Sequence, residues 1–485
     1  MDEFELHAIA TKSVKGVFAL VSRSFLLQLL GLATSFILTI FLDPASFGIF
    51  FVVSSIIVFF NYFQDIGLAA SLIQKKEEPT KTELQTVFVM QQILVLLLVV
   101  PALIFTSAIA HFYKLNVDGE VLLVALLISF FLTSLRTIPT VLLERKLDYG
   151  KLVIPQILEN LAYNACLIIF AVMGFKVASF TIAVLARSII GLVALYIIQP
   201  WPIGISFDRN SLKRLVSFGI PFQANSILAL FKDDFRTIYL GKVLPIAQLG
   251  YIGFAEKLAY LPLRLVMDNV IKVTFPSFAR LQTDKNALRL AIEKSLFLIC
   301  FAIFPIAVGI ISYSPFLIQF VPKYQKWEPA LVSVVFFSLG TVLSSISTPL
   351  TNFLNAIGRV KITLYFMIFW TAAIWILTLF LIKVMGYNGV SAASFFVSLT
   401  SIGVFIISKK YVEFSVIRPV YKQFIAAIIM YFFTVFTASF ISSLLVMILF
   451  GFIAVGVYLG ALFLIAKDEV IKTTRFVFNS VRSKS

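Results

Sequence analysis

The sequence predicts an all-α integral membrane protein with about fourteen transmembrane helices. Three observations lead to this fold class. Hydrophobic residues make up 60% of the 485-residue chain, and the mean hydropathy is +1.00. Charged residues make up only 13%, whereas soluble domains carry roughly a quarter. Apolar runs of roughly 20 residues, the length that crosses a bilayer, recur along the whole chain and leave no room for a sizeable soluble domain.

The predicted spans follow one another with short polar breaks. The first apolar run, Val17 to Phe41, is too long for a signal-peptide core and lacks an obvious cleavage site, so we interpret it as a membrane helix. Only Ser442 and Ser443 separate the last two runs, which predicts a tight hairpin. The spans are predicted at roughly 15–41, 47–73, 87–110, 120–143, 152–173, 177–199, 216–240, 247–278, 292–312, 330–355, 362–382, 387–408, 421–442 and 444–466.

The net charge of +16 comes largely from basic residues in alternate loops. One side of the membrane receives pairs such as Lys75-Lys76, Arg145-Lys146 and Lys409-Lys410, whereas the other receives mainly single lysines such as Lys114 and Lys176. A ratio of about four to one predicts a multi-pass protein of the inner (cytoplasmic) membrane with both termini in the cytoplasm. Because this asymmetry explains the charge, no nucleic-acid partner is predicted.

Two turns in the sequence resemble each other. Leu42-Asp43-Pro44-Ala45-Ser46-Phe47-Gly48 and Leu244-Pro245-Ile246-Ala247-Gln248-Leu249-Gly250 each connect the first two spans of a six-helix group, which indicates a parallel repeat of the kind found in transporters. Pro and Gly are ordinary turn residues, so chance similarity is the alternative. The repeat predicts an N-terminal six-helix lobe over 1–205, a C-terminal six-helix lobe over 206–410, and two extra helices with a basic cytoplasmic tail over 411–485.

Span eight carries a charged stripe. The stripe begins at Lys257 and continues seven, eleven and fifteen positions later with Arg264, Asp268 and Lys272. At a helical period they fall within an arc of about 80°, so they share one face of the helix. Charge within a bilayer is costly and usually faces a partner or a water-filled cavity. Pro262 within the stripe predicts a kink that would free backbone carbonyls.

Other spans also carry ionisable residues. Lys232, Asp233, Asp234 and Arg236 belong to span seven, and Arg23, Asp65, Arg136, Glu159 and Arg187 belong to spans one, two, four, five and six. Span five further shows a polar stripe at helical spacing, formed by Gln156, Glu159, Asn160 and Tyr163. The alternative to a functional cavity is that the charges nearest a membrane surface only extend their ends into it; these are Arg23, Asp65, Arg136 and Lys272.

An excess of Arg and Lys predicts a cavity for an anionic cargo that carries phosphate or carboxylate groups, because the Arg fork matches phosphate bidentately. The candidate substrate-binding residues are Arg23, Arg187, Lys232, Arg236, Lys257, Arg264 and Lys272. The candidate ion-coupling or charge-pairing residues are Asp65, Glu159, Asp233, Asp234 and Asp268.

The sequence does not predict an enzyme. Cys166 and Cys300 lie in apolar runs and indicate neither a disulfide framework nor a metal site. The two histidines lie in no catalytic pattern, and no phosphate-binding or dinucleotide motif is present, so no catalytic residue, metal or cofactor is predicted. The Asp233-Asp234 pair leaves one alternative open, a membrane glycosyltransferase or polymerase that holds Mg²⁺ on a diphosphate.

Three blocks of sequence resemble a known family. They run from Asp65-Ile66-Gly67-Leu68 to Lys75-Lys76-Glu77, from Asp233-Asp234-Phe235 to Leu240-Gly241-Lys242, and from Leu249-Gly250-Tyr251 to Phe275-Pro276-Ser277-Phe278-Ala279-Arg280-Leu281-Gln282. With their order and spacing, they make most of residues 10–410 similar to the polysaccharide-transporter (Wzx-type oligosaccharide-lipid flippase) family. That family belongs to the multidrug, oligosaccharidyl-lipid and polysaccharide flippase superfamily.

The resemblance implies two six-helix bundles around a central, often cationic cavity, with two extra C-terminal helices. It implies that an undecaprenyl-diphosphate-linked oligosaccharide is flipped to the outer leaflet by alternating access. Basic residues of the first, second, seventh and eighth helices line the cavity in the family, and the matching positions here are Arg23, Lys232, Arg236, Lys257 and Arg264. Helix two departs from the pattern, because it offers acidic Asp65 and no basic residue in its apolar body.

We therefore expect a flippase for a lipid-diphosphate-linked oligosaccharide in cell-surface polysaccharide biosynthesis. Its expected partners are the anionic lipid-linked oligosaccharide and membrane lipid, with a glycan polymerase and other export proteins as further candidates. The alternatives are a cation-coupled multidrug exporter, for which Asp65, Glu159 and Asp268 would be the acidic candidates, and a peptidoglycan-precursor flippase.

Overall fold

The computed structural model describes residues 27–28, 30–65, 67–75, 77–146, 148–209, 212 and 234–482. Helices make up nearly all of this part of the chain, which contains no β-strand, and eleven of its helices are long and apolar enough to cross a membrane. The other three predicted spans correspond to Leu30–Phe41, to the helix that begins at Asp234, and to the broken helix between Ile246 and Arg280. The predicted all-α membrane fold with about fourteen helices is thereby confirmed.

The chain forms two compact units, Met1–Gly250 and Tyr251–Ser485. The helices that begin in the first unit are α1 (Leu30–Phe41), α2 (Pro44–Asn61), α3 (Leu68–Gln74), α4 (Lys81–Ile104), α5 (Thr106–Phe112), α6 (Val117–Ser134), α7 (Thr137–Arg145), α8 (Tyr149–Val172), α9 (Val177–Ile198), α10 (Asp234–Val243) and α11 (Ile246–Ala259). Those of the second unit are α12 (Asp268–Arg280), α13 (Lys285–Phe320), α14 (Leu331–Ala356), α15 (Val360–Met385), α16 (Asn388–Leu399), α17 (Ile402–Lys409), α18 (Ile417–Thr437) and α19 (Leu444–Arg482). The lobe boundaries given above stay predictions.

Polar side chains fix where the helices of the first unit begin. The Asp43 carboxylate accepts the Ser46 backbone N–H at 2.7 Å, and Pro44 occupies the first helical position of α2, where its missing N–H costs nothing. At α4, the Thr80 hydroxyl accepts the Glu83 N–H while the Glu83 carboxylate accepts the Thr80 N–H, which completes a capping box. These caps satisfy N–H groups that the helix itself leaves unpaired.

The two similar turns meet face to face within the first unit. A Cβ atom added at Gly48 would lie 2.8 Å from the carbonyl carbon of Ile246, and one added at Gly250 would lie 2.7 Å from that of Pro44. Pro44 and Ile246 are equivalent positions in the two turns, as are Gly48 and Gly250, so the contact is reciprocal. Only a residue without a side chain allows this backbone approach.

In the second unit, the two C-terminal helices pack on α13. The Tyr458 hydroxyl of α19, which is fully buried, donates to the Phe301 carbonyl at 3.2 Å, and the Thr434 hydroxyl of α18 bonds to the Ser312 hydroxyl at 2.8 Å. Cys300 belongs to the apolar cluster that fills the space between these helices. The extra helices are therefore attached by side-chain hydrogen bonds as well as by apolar packing.

Large apolar side chains remain on the outer surface of the helices. Phe436, Phe452 and Leu464 are 74%, 75% and 85% exposed. Many other aliphatic and aromatic residues along the spans are also exposed, far beyond the small apolar patches of soluble proteins. Such a surface is stable when hydrocarbon rather than water surrounds it.

The reciprocal glycine contact gives a first prediction. We expect Gly48→Ala and Gly250→Ala each to lower the free energy of unfolding by about 1–3 kcal/mol, because the added methyl group forces two backbones apart. Thermal unfolding of the purified chain in detergent measures this. Gly456→Ala is the matched control, since nothing lies within 4 Å of its added Cβ. Equal melting temperatures for all three variants would contradict the prediction.

Candidate functional site

The first unit encloses a cavity of about 650 Å³ among α2, α4, α6, α7, α8 and α9. Its walls combine aliphatic and aromatic side chains with many polar ones, an unusual lining for the interior of a membrane helix bundle. The polar members are Ser54, Asn61, Gln64, Asp65, Gln91, Ser129, Thr133, Arg136, Thr137, Thr140, Glu144, Gln156, Glu159, Tyr163, Arg187 and Ser188.

Two arginines converge on one buried glutamate in this cavity. Glu159 of α8 is 5% exposed, and its carboxylate accepts a hydrogen bond from the Arg136 guanidinium. The Arg187 guanidinium of α9 lies 3.8 Å from the second carboxylate oxygen and 5.7 Å from the centre of the Tyr163 ring. One carboxylate thus pairs with two cations and lowers the cost of keeping itself and Arg136 buried, whereas Arg187 is half-exposed.

The local backbone makes room for this cluster. Arg136 lies in the turn between α6 and α7, where the Tyr196 hydroxyl donates to the Leu135 carbonyl at 2.8 Å. Gly191 of α9 faces the pair, since a Cβ there would lie 2.7 Å from Arg136 Nη1 and nearer still to the Glu159 carboxylate. A larger residue at Gly191 would displace the ion pair.

Several buried polar atoms in the cavity wall have no hydrogen-bond partner. The Gln91 amide nitrogen donates to the Thr137 hydroxyl at 2.7 Å, but the Gln91 carbonyl oxygen has none, although the residue is 1% exposed. Arg136 Nε and the Ser54 hydroxyl likewise lack a hydrogen-bond partner. Buried polar groups are nearly always paired, so these atoms are expected to meet water or a ligand.

The polar stripe predicted on span five proves to be divided. Gln156, Glu159 and Tyr163 line the cavity, whereas the Asn160 side-chain amide donates to the Gln156 backbone carbonyl at 2.7 Å. Arg187, predicted as a single charge on span six, also lies at the cavity with 47% of its side chain exposed.

Asp65 lies at the cavity but also has a local structural task. Its side chain accepts the Ala69 N–H at 2.9 Å, and its backbone carbonyl accepts the Leu68 N–H at 3.0 Å. Gly67 adopts the left-handed conformation, with φ +79°, that lets the chain turn into α3. The Asp65–Leu68 block of the sequence therefore forms the start of a short helix.

The remaining candidates divide between the two units. Arg236 of α10 is buried in the first unit, while Lys257 of α11 and Arg264 are exposed in the second. Arg23, Lys232 and Asp233 lie outside the described residues, as do the side chains of Asp234, Asp268 and Lys272.

The predicted break at Pro262 is present. The helix departs from α geometry there and continues as a π-helical turn over Leu263–Met267, which contains Arg264. The Thr341 hydroxyl of α14 donates to the Ala259 carbonyl at 3.0 Å, and both residues are fully buried. Arg264 therefore lies on an irregular helical turn, and a side-chain hydrogen bond reaches the backbone just before this turn.

A smaller cavity in the second unit has a different character. It measures about 400 Å³ and is lined almost entirely by apolar groups of α13, α18 and α19, among them Ile306, Met430 and Val455. Apolar cavities of this kind accept hydrocarbon rather than water.

Arg145 has a role that the sequence did not reveal. In the sequence, Arg145 only contributed to the charge asymmetry that indicates the orientation of the chain in the membrane. In the structure, its guanidinium donates to the Leu72 carbonyl, to the Lys75 carbonyl at 2.7 Å and to the Glu77 carbonyl at 2.8 Å. It thereby caps the end of α3 and holds the loop to α4. Gln91 and Glu144 also line the cavity without having been predicted from the sequence, although the Gln91-Gln92 pair within an apolar run was a visible signal.

Within the described part of the chain, no three His, Cys, Asp or Glu side chains lie close enough together to hold a metal ion. The lining of the first-unit cavity offers Arg, carboxylate, amide and hydroxyl groups for hydrogen bonding and ion pairing.

Comparison with known proteins gives consistent findings. The model of a family described as polysaccharide biosynthesis protein matches residues 37–332 of the chain. The lipopolysaccharide biosynthesis protein WzxC of Escherichia coli strain K12 is 25% identical over 414 residues, which cover 82% of this chain and 80% of that protein. The teichuronic acid biosynthesis protein TuaB of Bacillus subtilis strain 168 is 24% identical over 312 residues, which cover 64% of each.

Solved structures show the same fold. Lipid II flippase MurJ in an inward closed conformation superposes with a TM-score of 0.74 at 16% identity, covering 94% of this chain and all of that one. An inward-facing multidrug resistance transporter of the MATE family superposes with a TM-score of 0.61 at 17% identity, covering 79% of this chain and 94% of that one.

The buried pair gives a second prediction. We expect Glu159→Leu to lower the free energy of unfolding by about 3–5 kcal/mol, because it leaves Arg136 buried without its partner. Adding Arg136→Met should recover most of that loss. Denaturation in detergent of the unaltered chain, of each single variant and of the double variant completes a double-mutant cycle. A double variant no more stable than Glu159→Leu would show that the pair does not stabilise the bundle in this way.

Proposed function

This chain belongs to the polysaccharide biosynthesis protein family, and from that premise we propose that it is a flippase for a lipid-diphosphate-linked oligosaccharide in the cytoplasmic membrane. The cargo would cross by alternating access, with the sugars moving from the cytoplasmic to the outer leaflet. By their names, its relatives in Escherichia coli and Bacillus subtilis act in lipopolysaccharide and teichuronic acid biosynthesis. The proposal assigns a transport step to the chain and no chemical one.

The observation that carries the proposal is the pair of exposed cations on the broken helix. Lys257 lies on α11, and Arg264 lies on the π-helical turn. Among the acidic side chains that the structure describes, none forms a salt bridge with either of them. An exposed Arg on such a segment offers parallel N–H groups to a phosphate oxygen pair. A diphosphate is the one anionic group that every lipid-diphosphate-linked cargo shares, so these residues are the proposed contacts.

The apolar cavity of the second unit supports the lipid part of the proposal. Its aliphatic lining along α13, α18 and α19 suits a hydrocarbon chain, which gains free energy in proportion to the apolar area that it buries. A cargo with a long polyprenyl tail needs such a surface while its polar group crosses the bilayer.

Among the other functions, only a cation-coupled multidrug exporter is favoured by a specific observation. The first-unit cavity contains the carboxylates Asp65, Glu144 and Glu159, which a cationic drug would require. Two of the three are already engaged, because Glu159 holds two arginines and Asp65 accepts a backbone N–H. Drug-resistance assays on cells that express the chain separate the two functions.

Two kinds of lipid-diphosphate-linked cargo are compatible with membership of the family. A peptidoglycan precursor is also a lipid-diphosphate-linked sugar, and the likeness to MurJ concerns the fold alone. Neighbouring genes for glycosyltransferases and a glycan polymerase would favour surface-polysaccharide export, with the polymerase as partner, whereas cell-wall genes would favour the peptidoglycan precursor.

The proposed phosphate contacts give a third prediction. In a host strain that lacks this chain, Arg264→Gln and Lys257→Gln are each expected to abolish surface polysaccharide and to let lipid-linked oligosaccharide accumulate, while the protein stays at its normal abundance in the membrane. Loss of one charge-assisted contact lowers affinity by roughly tenfold or more. Immunoblotting measures the polysaccharide and the abundance of the protein, and analysis of extracted lipids measures the accumulated lipid-linked oligosaccharide.

Lys285→Gln is the matched control, because Lys285 is an exposed basic residue at the start of α13. It should restore the polysaccharide to the level given by the unaltered chain. Normal polysaccharide in the Arg264 and Lys257 variants would overturn the assignment of these two residues.

A further inference from the structure

The cavity of the first unit is chemically mixed rather than cationic. Its ionisable groups are three carboxylates and the two guanidinium groups of Arg136 and Arg187, so its formal charge is not positive. Most of its other polar groups are hydroxyls and amides. A diphosphate would meet as much repulsion as attraction in this lining, so the cavity is unsuited to the part of the cargo that Lys257 and Arg264 are proposed to bind.

The lining matches a ligand that both donates and accepts hydrogen bonds. Side-chain amides and hydroxyls do both, a carboxylate accepts, and a guanidinium donates. A sugar ring carries hydroxyl groups of this dual character around a compact apolar frame. The aromatic rings of Tyr163 and Phe130 lie in the same wall and offer flat surfaces for the C–H face of such a ring.

Two side chains in the wall, Gln91 and Arg187, have hydrogen-bonding atoms that such a ligand could pair with. The buried Gln91 carbonyl oxygen has no partner within the protein, while the amide nitrogen of the same residue is fixed by Thr137. Arg187 is held by a contact of 3.8 Å with Glu159 and by the Tyr163 ring, which leaves most of its donors unused. Both features leave hydrogen-bonding capacity that the fold itself does not consume.

Glu159 sets the direction of both guanidinium groups. It pairs with Arg136 on one oxygen and with Arg187 on the other, and Gly191 leaves the space for this arrangement. Glu159 is therefore a positioning residue in the sense that it orients the groups that a ligand would contact.

Resting on the flippase function proposed above, we propose that the first-unit cavity recognises the sugar chain of the cargo, with Gln91 and Arg187 as contacts and Glu159 as the positioning residue. The volume of about 650 Å³ lies in the range of sites that enclose small polar ligands. Recognition of the sugars thus occurs on residues separate from those that bind the diphosphate. The cavity makes the chain selective for one glycan, while Lys257 and Arg264 serve any cargo of this class.

Transport of two substrates by the purified full-length chain in liposomes tests this inference. One substrate is the complete lipid-diphosphate oligosaccharide extracted from the host, and the other is the lipid-diphosphate monosaccharide from which that oligosaccharide is built. An external pyrophosphatase that cannot cross the bilayer cleaves only the molecules that have reached the outer leaflet. Its product over time gives the rate for each substrate.

Gln91→Leu and Arg187→Gln are expected to lower the rate for the oligosaccharide by about tenfold, because each removes hydrogen bonds to the sugars. The monosaccharide rate should stay within about twofold of that of the unaltered chain. Glu159→Gln is expected to shift the ratio of the two rates in the same direction by less. Arg264→Gln should slow both substrates equally, since both carry the diphosphate.

Gln423→Leu is the matched control for Gln91→Leu, because Gln423 is a fully buried glutamine of α18 in the second unit. It should leave the ratio of rates unchanged. If Gln91→Leu does not fold, Arg187→Gln decides the question, since that side chain is half-exposed.

An equal loss for both substrates in the cavity variants would overturn the inference in favour of a purely structural role. An unchanged oligosaccharide rate would show that the sugars do not contact this cavity. Transport of neither substrate by the unaltered chain would instead refute the flippase function itself, so the two failures are distinct.

Discussion

The cost of an unsatisfied polar group in hydrocarbon is the constraint on which the rest of this structure depends. Within a bilayer no water replaces a missing hydrogen bond, so each departure from a regular helix requires a side chain that repairs it. Arg145 does this for the carbonyls at the end of α3, and the Thr341 hydroxyl adds a hydrogen bond to the Ala259 carbonyl beside the break at Pro262. In the wall of the first-unit cavity, the Gln91 carbonyl oxygen is kept without such a repair, and there it can accept a hydrogen bond from a ligand.

The two units satisfy this constraint by different means. In the first unit, Arg136 and Arg187 are gathered around Glu159, and the further carboxylates of Asp65 and Glu144 in the same cavity leave its overall formal charge not positive. In the second unit, Lys257 stays exposed near the end of α11, and Arg264 stays exposed on the π-helical turn, where Met267 packs in a buried apolar cluster. A cavity with paired charges can orient a polar, uncharged ligand, whereas exposed cations attract an anion. The different charge of the two sites therefore predicts that they bind different parts of the cargo.

The sequence predicted the number and order of helices well, because hydropathy depends only on local composition. The break at Pro262 was also visible, since a proline within an apolar run disturbs its own helix whatever the neighbours are. The charged face of span eight stays a prediction, because the side chains of Asp268 and Lys272 lie outside the described residues. The pairing of Arg136 with Glu159 was not, because these residues lie on different helices and only packing brings them together; an anchor at the membrane surface was the open alternative for Arg136. The same applies to Arg145 and to the reciprocal contact of Gly48 and Gly250. The family resemblance, which rested on three blocks of sequence, was confirmed by the match over residues 37–332.

The separation of phosphate contacts from sugar contacts has a consequence for how such proteins diverge. Residues that bind the diphosphate meet the same group in every cargo, so substitution there removes transport altogether. Residues that meet the sugars can change one hydrogen bond at a time, and each change alters the preference among glycans by a factor that one hydrogen bond supplies. Substitution of Glu159 differs from these single changes, because it alters the orientation of both arginines and lowers the stability of the helix bundle at the same time. Selectivity in the first unit is therefore free to vary only around a fixed ion cluster.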